Sequence, residues 1–318
     1  MTGELPSGYL LRRPLDQDAE GVLALMIACD LVMLGEPDST IDDVKAEWRL
    51  PRFDKGRDAW IVTDAPGEIV GYAWVWDRVP HQDLQADLRV HPARRGLGIE
   101  EVLLRLLEER GREHFDPAFP ERDLTIALFT ESKENLPAIL HARGYRSVRT
   151  FHRMCIDLAG PLPRTAIPDG IEIRPFRRAE DERAMHRAIE EAFEGHFRFA
   201  PEPHEDWVSR RITQSGFDPG LWLIAWDGAE AAGGVLPYVF GDLGWVRELG
   251  VRPAWRGRGI GKALLLEAFR ALEGTGRHRI SLGVDSANAT GATRLYEDVG
   301  MRVELRNDLY QKSIRPPR

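Results

Sequence analysis

A glycine-rich segment in the second half of the chain combines the residue types that bind phosphate groups. A helical pattern follows it, with apolar residues on one face at Leu265, Ala268, Phe269 and Leu272. A helix N-terminus offers free backbone N–H groups and the positive end of the helix dipole, and glycines allow a phosphate to approach closely. The segment therefore predicts an anion site, and a glycine turn for tight strand–helix packing is the alternative. Its members are Arg256, Gly257, Arg258, Gly259, Ile260, Gly261 and Lys262.

The spacing of these glycines excludes two common nucleotide motifs. A P-loop requires Ser or Thr after its lysine, and Ala263 follows Lys262 here. The dinucleotide fingerprint requires Gly-x-Gly-x-x-Gly, whereas these glycines occupy every second position. The segment lies between an apolar strand pattern, 245–251, and the helical pattern, so a different phosphate-binding loop is expected.

The glycine-rich segment has a counterpart in the first half of the chain. Residues 90–100 resemble residues 251–261, and Arg13-Pro14 matches Arg174-Pro175 at the same offset. Prolines at 161, 163 and 168 separate the two copies, and proline is excluded from helix interiors and central strands. We therefore predict a duplicated domain, with residues 1–158 and 171–318 joined by a linker at 159–170.

Each copy has the pattern of a mixed α/β domain. In the second copy, short apolar strand patterns alternate with helical ones, and Gly300 is placed to end a helix over 290–299. Asn307-Asp308 lies between two further strand patterns, 301–306 and 309–314, and predicts a hairpin there.

The second copy resembles the GNAT superfamily of acyl-CoA N-acyltransferases. The central motif of that family, Arg/Gln-x-x-Gly-x-Gly/Ala, is matched by Arg256, Gly259 and Gly261, after a strand ending in Val-x-Pro. A second family motif is matched by Asn288 and the segment 294–301. The resemblance covers about 171–314 strongly and the first half weakly. It implies an α/β (α+β) fold of two tandem GNAT-like domains, each a mixed, mostly antiparallel twisted sheet flanked by helices.

The resemblance also implies acetyl-CoA as the cofactor and assigns residues to it. The glycine segment would bind the pyrophosphate, and the backbone of Leu249, Gly250 and Val251 would hold the pantetheine arm. The Val251 N–H would donate a hydrogen bond to the thioester oxygen, and stabilising the negative charge that develops on that oxygen is a large contribution to catalysis of acyl transfer. Asn288 would bind the cofactor arm, and its alternative role is a helix N-cap.

Two residues are the candidates for proton transfer in this family reading. Tyr296 would donate a proton to the leaving thiolate, and its alternative is an amphipathic core tyrosine. Glu248 would take a proton from the acceptor ammonium, and its alternative is an ion pair with Arg247 or Arg252. Several family members carry the base three positions earlier, where Trp245 stands here.

The acceptor is expected to be a primary amine on a small molecule or a peptide. Aromatic and acidic residues interleave between Phe193 and Phe217, and such a mixture suits a cation with an apolar body. The alternatives are a mycothiol synthase-type acceptor, a cysteinyl amino-sugar, and a non-catalytic acyl-CoA sensor. The histidine spacing matches no zinc site, so no metal is expected. The residues considered are Phe197, Phe199, Trp207 and Phe217 with Glu194, Glu202, Glu205, Asp206, His196 and His204.

The first copy differs at the positions that carry the chemistry. Glu100 replaces the third glycine, and a carboxylate there would repel a pyrophosphate. Leu140 stands where Tyr296 stands in the second copy, although Asn135 is kept. We therefore expect a non-catalytic scaffold.

Composition excludes several classes of partner. The formal net charge is −8, which argues against general nucleic-acid or anionic-membrane binding. The two cysteines are too few for a disulfide framework. The longest apolar stretch, 22–34, is too short to span a bilayer, and residues 1–4 lack a signal-peptide pattern. We expect a cytoplasmic protein, with no prediction for its oligomeric state.

Overall fold

Helices and strands alternate along both halves of the chain. The computed structural model describes residues 4–118, 123–131, 135–164, 166–212, 216–288 and 290–314. The first half contains strands β1 (Leu10–Arg12), β2 (Ala59–Thr63), β3 (Ile69–Val79), β4 (Asp83–Val90), β5 (Thr125–Glu131) and β6 (Arg146–Asp157), with helices α1 (Ala19–Met33), α2 (Ile41–Glu47), α3 (Lys55–Asp58), α4 (Ile99–Glu113) and α5 (Leu136–Ala142). The second half contains β7 (Ile171–Pro175), β8 (Leu223–Asp227), β9 (Glu230–Phe240), β10 (Leu243–Val251), β11 (Arg279–Asp285) and β12 (Arg302–Ser313), with α6 (Glu182–Phe193), α7 (His204–Ile212), α8 (Ile260–Gly274) and α9 (Ala292–Glu297). No described helix has both the length and the apolar character needed to cross a membrane.

Two compact units form from these elements, and each includes a strand segment from the other half of the sequence. Unit 1 comprises Met1–Thr150 and Arg306–Arg318, and unit 2 comprises Phe151–Leu305. Residues 151–157 of β6 pair with β11 in unit 2, and residues 307–313 of β12 pair with β5 in unit 1. The units therefore differ from the predicted division at 159–170, because local sequence does not encode which sheet a strand joins.

Both sheets are mixed and mostly antiparallel, as the sequence predicted. The strand order is β1-β2-β3-β4-β5-β12 in unit 1 and β6-β11-β10-β9-β8-β7 in unit 2. The pairs β4–β5 and β10–β11 are parallel, and the other pairs within each unit are antiparallel. In each unit the parallel pair is joined through a glycine loop and a helix.

Helices cover both faces of the unit 2 sheet. On one face, α8 packs on β8, β9 and β10 and buries the predicted residues Leu265, Ala268, Phe269 and Leu272, all fully inaccessible. Burial of each large apolar side chain contributes about 1.5–3 kcal/mol. On the opposite face, α6 and α7 pack on β8 and β9 through a cluster that includes Trp207, Trp222 and Tyr238. The unit 2 sheet is therefore packed between helices on both faces.

The predicted hairpin at Asn307-Asp308 is wrong. Strand β12 runs unbroken from Arg302 to Ser313. Asp308 pairs with Thr130 on β5, and its carboxylate accepts a hydrogen bond from the Thr150 hydroxyl at 2.5 Å. Cross-strand pairing thus outweighs the local turn preference of Asn and Asp.

Candidate active site

Strands β10 and β11 separate part-way along their length. Their parallel ladder extends from Leu243 to Val246 on β10, opposite 279–282 on β11, whereas β10 continues to Val251 beside β9. Arg247 is an extra residue in the β10 ladder with β9, because Val246 pairs with Pro237 and Glu248 with Leu236. Such a bulge bends the strand and increases its twist. A wedge therefore opens between the two strands.

The backbone of β10 presents hydrogen-bonding groups to this wedge. The Arg252 N–H donates to the Ala232 carbonyl, so Arg252 faces β9 in the ladder. Because hydrogen-bonded and non-hydrogen-bonded positions alternate in an antiparallel ladder, the backbone groups of Leu249 and Val251 turn away from β9. Those of Gly250 turn toward β9. The predicted backbone contacts are therefore available at Leu249 and Val251, but not at Gly250.

Gly250 instead permits close packing of α6. A Cβ atom at this position would lie 2.8 Å from the Ala192 Cβ. This is closer than real Cβ contacts, so α6 would have to shift. Glycine here brings the end of α6 onto the wedge.

The glycine loop after β10 leads directly into a helix, as the sequence predicted. Gly257 and Gly259 adopt φ values of 75° and 86°, a region that L side chains rarely occupy. Gly259 is the N-cap of α8, which begins at Ile260, and no side chain caps it. The first N–H groups of α8 are therefore free for an anionic ligand.

The three basic residues of the loop have different surroundings. Arg256 donates to the carbonyls of Val251 (3.1 Å) and Ala192 (2.8 Å), so it braces the loop against β10 and α6. Arg258 pairs with Asp227 at 3.2 Å. Lys262 makes no ion pair or hydrogen bond with any residue that the structure describes. It is the cation of this group that is free to meet an anion.

A cavity of about 460 Å³ joins the wedge to the glycine loop. It lies within unit 2, between α6, β10, β11, α8 and α9. All predicted site residues except Arg258 line it. They are Glu248, Leu249, Gly250, Val251, Arg256, Gly257, Gly259, Ile260, Gly261, Lys262, Asn288 and Tyr296.

Tyr296 lies on α9 and is both a core residue and a cavity residue. Its side chain is 7% exposed and belongs to the apolar cluster that α8 forms with the sheet. Burial raises the pKa of Tyr296 to about 12. The hydroxyl therefore stays protonated at neutral pH and can serve as a hydrogen-bond donor.

Asn288 lies in the turn that precedes α9. Its Oδ1 accepts hydrogen bonds from the Thr290 N–H (2.8 Å) and hydroxyl (2.7 Å). Helix α9 begins at Ala292 with Gly291 as its N-cap, so the alternative role of Asn288 as the cap is wrong. The Asn288 amide nitrogen donates to no described residue and borders the cavity.

Glu248 is bound by an arginine that the sequence did not suggest. Both of its oxygens accept from Arg211 on α7, at 3.2 Å from Nε and 2.7 Å from Nη2. Arg211 also reaches Glu202 at 2.7 Å. Burial alone lowers the pKa of Arg211, but the charges of Glu248 and Glu202 outweigh it and raise the pKa well above its ordinary value. The expected partner Arg252 pairs with Glu191 instead.

Only part of the predicted acceptor region reaches the cavity. His196 and Phe197 line it, together with Phe193. Trp207 is fully buried in the core against Trp222, so this aromatic is structural. The remaining residues of that set do not line the cavity: Phe199 and Phe217 with Glu194, Glu202, Glu205, Asp206 and His204.

Phe151 on β6 also lines the cavity and was not anticipated. It belongs to the first half of the sequence, and only the strand arrangement of unit 2 brings it there. A local motif carries no signal for such a residue.

Comparison with known proteins supports the resemblance. Residues 183–301 match the acetyltransferase (GNAT) family. A mycothiol acetyltransferase of Geodermatophilus obscurus is 32% identical over 254 residues, covering 77% of this chain and 79% of that protein. One from Thermomonospora curvata is 32% identical over 269 residues, covering 84% and 86%. The chain belongs to the GNAT acetyltransferase family. It is therefore an N-acetyltransferase, which sets aside the non-catalytic sensor.

Solved structures agree with this GNAT assignment. A GCN5-related N-acetyltransferase from Sphaerobacter thermophilus superposes with a TM-score of 0.84 at 35% identity, covering 99% of this chain and 98% of that one. A tandem GNAT protein from the clavulanic acid biosynthesis pathway gives a TM-score of 0.73 at 18% identity, covering 98% and 100%. The latter likeness shows the tandem fold alone.

The corresponding GNAT loop in unit 1 keeps its backbone shape, but a carboxylate fills it. Gly96 and Gly98 have φ values of 76° and 93°, and α4 begins at Ile99. The Glu100 Oε1 accepts hydrogen bonds from the Gly96 N–H (3.0 Å) and from Asn135 Nδ2 (3.3 Å). Glu100 is 2% exposed. The Glu100 carboxylate therefore uses the Gly96 N–H and places a negative charge where an anion would bind.

The strand that precedes the unit 1 loop also differs. The register of β4 with β3 is unbroken from Leu84 to Val90, so β4 has no bulge to match Arg247 of β10. Leu140, at the position of Tyr296, is fully buried in the unit 1 core.

Proposed function

We propose that this chain transfers the acetyl group of acetyl-CoA to a primary amine in the unit 2 cavity. The observation that carries the proposal is the meeting of three features in one cavity: the open backbone edge of β10, the uncapped start of α8 beside Lys262, and the Tyr296 hydroxyl. Bound acetyl-CoA would supply the reactive thioester.

The residues present fit an acyl-CoA. Free N–H groups at the start of α8 and the unpaired Lys262 ammonium suit a pyrophosphate. The outward backbone groups of Leu249 and the Val251 N–H suit the amide-bearing pantetheine arm, since the Val251 carbonyl already accepts from Arg256. The Asn288 amide nitrogen adds a donor. Arg256 and Arg258 act as positioning residues, since both hold the loop through protein contacts.

Within this proposal, the Val251 N–H supports the thioester oxygen and Tyr296 protonates the leaving sulfur. An N–H donor aimed where negative charge develops lowers the barrier to acyl transfer. Tyr296 can act as the acid because its hydroxyl is protonated at neutral pH, so a proton is available when the thiolate forms.

Glu248 stays a prediction as the proton acceptor. Both of its oxygens already accept hydrogen bonds from Arg211. We propose that its negative charge, next to the cavity, attracts the acceptor ammonium. If Glu248→Gln weakens amine binding but keeps the normal pH profile, the base lies elsewhere.

The decisive experiment is an acetyl-CoA consumption screen over amine classes, with Tyr296→Phe as the control. The panel includes peptide N-termini, polyamines, aminoglycosides and amino-sugar conjugates. General acid catalysis typically contributes about 10²–10⁴-fold, so Tyr296→Phe should lower kcat at least ~100-fold with CoA affinity unchanged. Unchanged turnover would remove the acid role, and no turnover of any amine by the wild-type chain would count against the proposal.

A cysteinyl amino-sugar is the second candidate acceptor. Both curated relatives described above are named mycothiol acetyltransferases. Trp245 occupies the position where several family members carry an acidic base, so the acceptor contacts differ there. Preference for this conjugate over the free amino-sugar in the screen would support the second candidate.

We further propose that unit 1 is a non-catalytic scaffold. The Glu100 carboxylate occupies the loop, and β4 has no bulge. One tight CoA site per chain is therefore expected.

A further inference from the structure

The imidazole of His196 borders the unit 2 cavity without a hydrogen-bond partner. Neither ring nitrogen forms a hydrogen bond with the residues that the structure describes. Nε2 is inaccessible to solvent, whereas Nδ1 is not among the buried atoms and is the nitrogen that can meet a ligand in the cavity. By contrast, the nearby His186 has its Nε2 2.9 Å from the Glu202 carbonyl. The ring of His196 packs against Phe193, with 4.8 Å between centroids. A polar atom so placed is costly unless a ligand or water engages it.

The backbone fixes the position of His196. Its N–H donates to the Phe193 carbonyl at 2.9 Å, and its carbonyl accepts from the Phe199 N–H at 3.0 Å. Arg198 adopts a φ of 57°, an uncommon conformation for a residue with a side chain. These turns hold the ring against the cavity.

The surroundings of His196 favour the neutral imidazole. Burial lowers its pKa, Arg256 on the glycine loop lowers the pKa further, and Asp285 at the end of β11 partly opposes them. Neutral imidazole can accept a proton. An amine acceptor of ordinary basicity arrives mostly as ammonium and must lose a proton before it attacks.

We propose that His196 is the general base that deprotonates the acceptor ammonium, directly or through one water. The inference rests on the proposed function and adds a residue to it. An imidazole without a hydrogen-bond partner among the described residues is better placed to accept a proton than Glu248, whose oxygens accept hydrogen bonds from Arg211.

Every proton in this step is accounted for. His196 accepts one proton from the ammonium, and the freed nitrogen lone pair forms the C–N bond as the thioester C–S bond breaks. Tyr296 gives its proton to the leaving sulfur. The second proton lost by the nitrogen restores the Tyr296 hydroxyl, and His196 releases its proton to solvent. One proton is released per turnover.

The test compares His196→Gln with His278→Gln in the full chain, using the amine most active in the screen. His278 is exposed and does not line the cavity. At pH 7, His196→Gln should lower kcat/KM at least ~100-fold, and the gap should narrow as pH approaches the pKa of the amine, where the amine loses its proton unaided. His278→Gln should match the wild type. Imidazole added to His196→Ala should restore part of the rate.

Several results would overturn the base assignment. These are an unchanged rate for His196→Gln, a deficit of constant size at every pH, or no imidazole rescue. A pH profile altered by Glu248→Gln but not by His196→Gln would return the role to Glu248.

A second measurement does not require turnover. In ¹⁵N NMR, with the ring signals assigned by comparison with His196→Gln, His196 should be neutral at pH 7. A ring still protonated at pH 7 would overturn the inference even if no amine were acetylated, whereas absence of turnover alone would count against the proposed function.

Discussion

Replacing Arg211 by Met should destabilise unit 2 strongly. The Arg211 side chain is 9% exposed, and its two partners, Glu248 and Glu202, are 15% and 12% exposed. Met has an unbranched side chain of similar length, and the backbone carbonyl at position 211 still accepts a hydrogen bond from the Tyr238 hydroxyl. What the substitution removes is the positive charge between two carboxylates.

The expected loss is about 3–5 kcal/mol, because removing one partner leaves an uncompensated charge out of water. For a unit of this size, that corresponds to a fall in Tm of about 6–20 °C. Urea unfolding followed by tryptophan fluorescence measures the loss, since Trp207 and Trp222 are in the adjacent core.

Arg210→Met is the matched control. Arg210 lies on the same helix and also pairs with Glu202, at 3.1 Å, but its side chain is 39% exposed. Glu202 keeps its bond to Arg211 in this variant, and the solvent-facing Arg210 contributes about 0–1 kcal/mol, so Arg210→Met should remain close to wild type. In a double-mutant cycle that combines Arg211→Met with Glu248→Gln, the coupling free energy between the two side chains should be about 0.5–3 kcal/mol. Equal effects of Arg211→Met and Arg210→Met would refute the argument from burial.

Three further predictions concern the loops and the pH dependence. Gly259→Ala should lower the free energy of unfolding by about 1–2 kcal/mol because of the positive φ at that position. Gly261→Ala should leave stability unchanged, since its Cβ would meet Leu295 and Val251 at 3.5 and 3.7 Å. Calorimetry should show that Gly261→Ala binds CoA about tenfold more weakly, or by about 1.4 kcal/mol, and unchanged affinity would contradict the pyrophosphate assignment. Burial raises the pKa of Asp181, but hydrogen bonds from Arg174 and Arg177 outweigh it and lower the pKa. This stabilisation is present above the unfolded pKa of about 3.9 and is lost as pH falls through the lower folded value. In urea unfolding, Asp181→Asn should therefore lower the free energy of unfolding by about 1.5–3 kcal/mol at pH 6 and by less at pH 3. An equal loss at both pH values would contradict this reasoning. Titration with CoA should give one tight site per chain, and two tight sites would contradict the role given to Glu100.

Local patterns in the sequence were sufficient for the backbone of the site. The positive φ values at Gly257 and Gly259, the start of α8 and its buried face all follow from residue type and spacing. The duplicated motif likewise predicted a second copy of the domain, in which Gly96 and Gly98 have φ values like those of Gly257 and Gly259. These features depend on interactions within a few residues, so the sequence alone determined them.

The partners of the polar side chains were decided by the tertiary structure. The sequence motif predicted Arg256 as a phosphate ligand, but its guanidinium donates to the carbonyls of Val251 and Ala192 and so braces the loop. Glu248 is bound by Arg211, which lies on a helix distant in sequence. Residue type gives the charge of a side chain, but not which opposite charge will be near it.

The arrangement of strands also could not be predicted from local sequence patterns. The sequence predicted a hairpin at Asn307-Asp308, whereas β12 continues and completes the sheet of unit 1. The same kind of pairing places β6, with Phe151, in unit 2. The sequence by itself determined where the glycine loop lies and that a helix follows it. Only the tertiary structure decided which side chains surround that loop, because strand pairing and ion pairing join residues far apart in the chain.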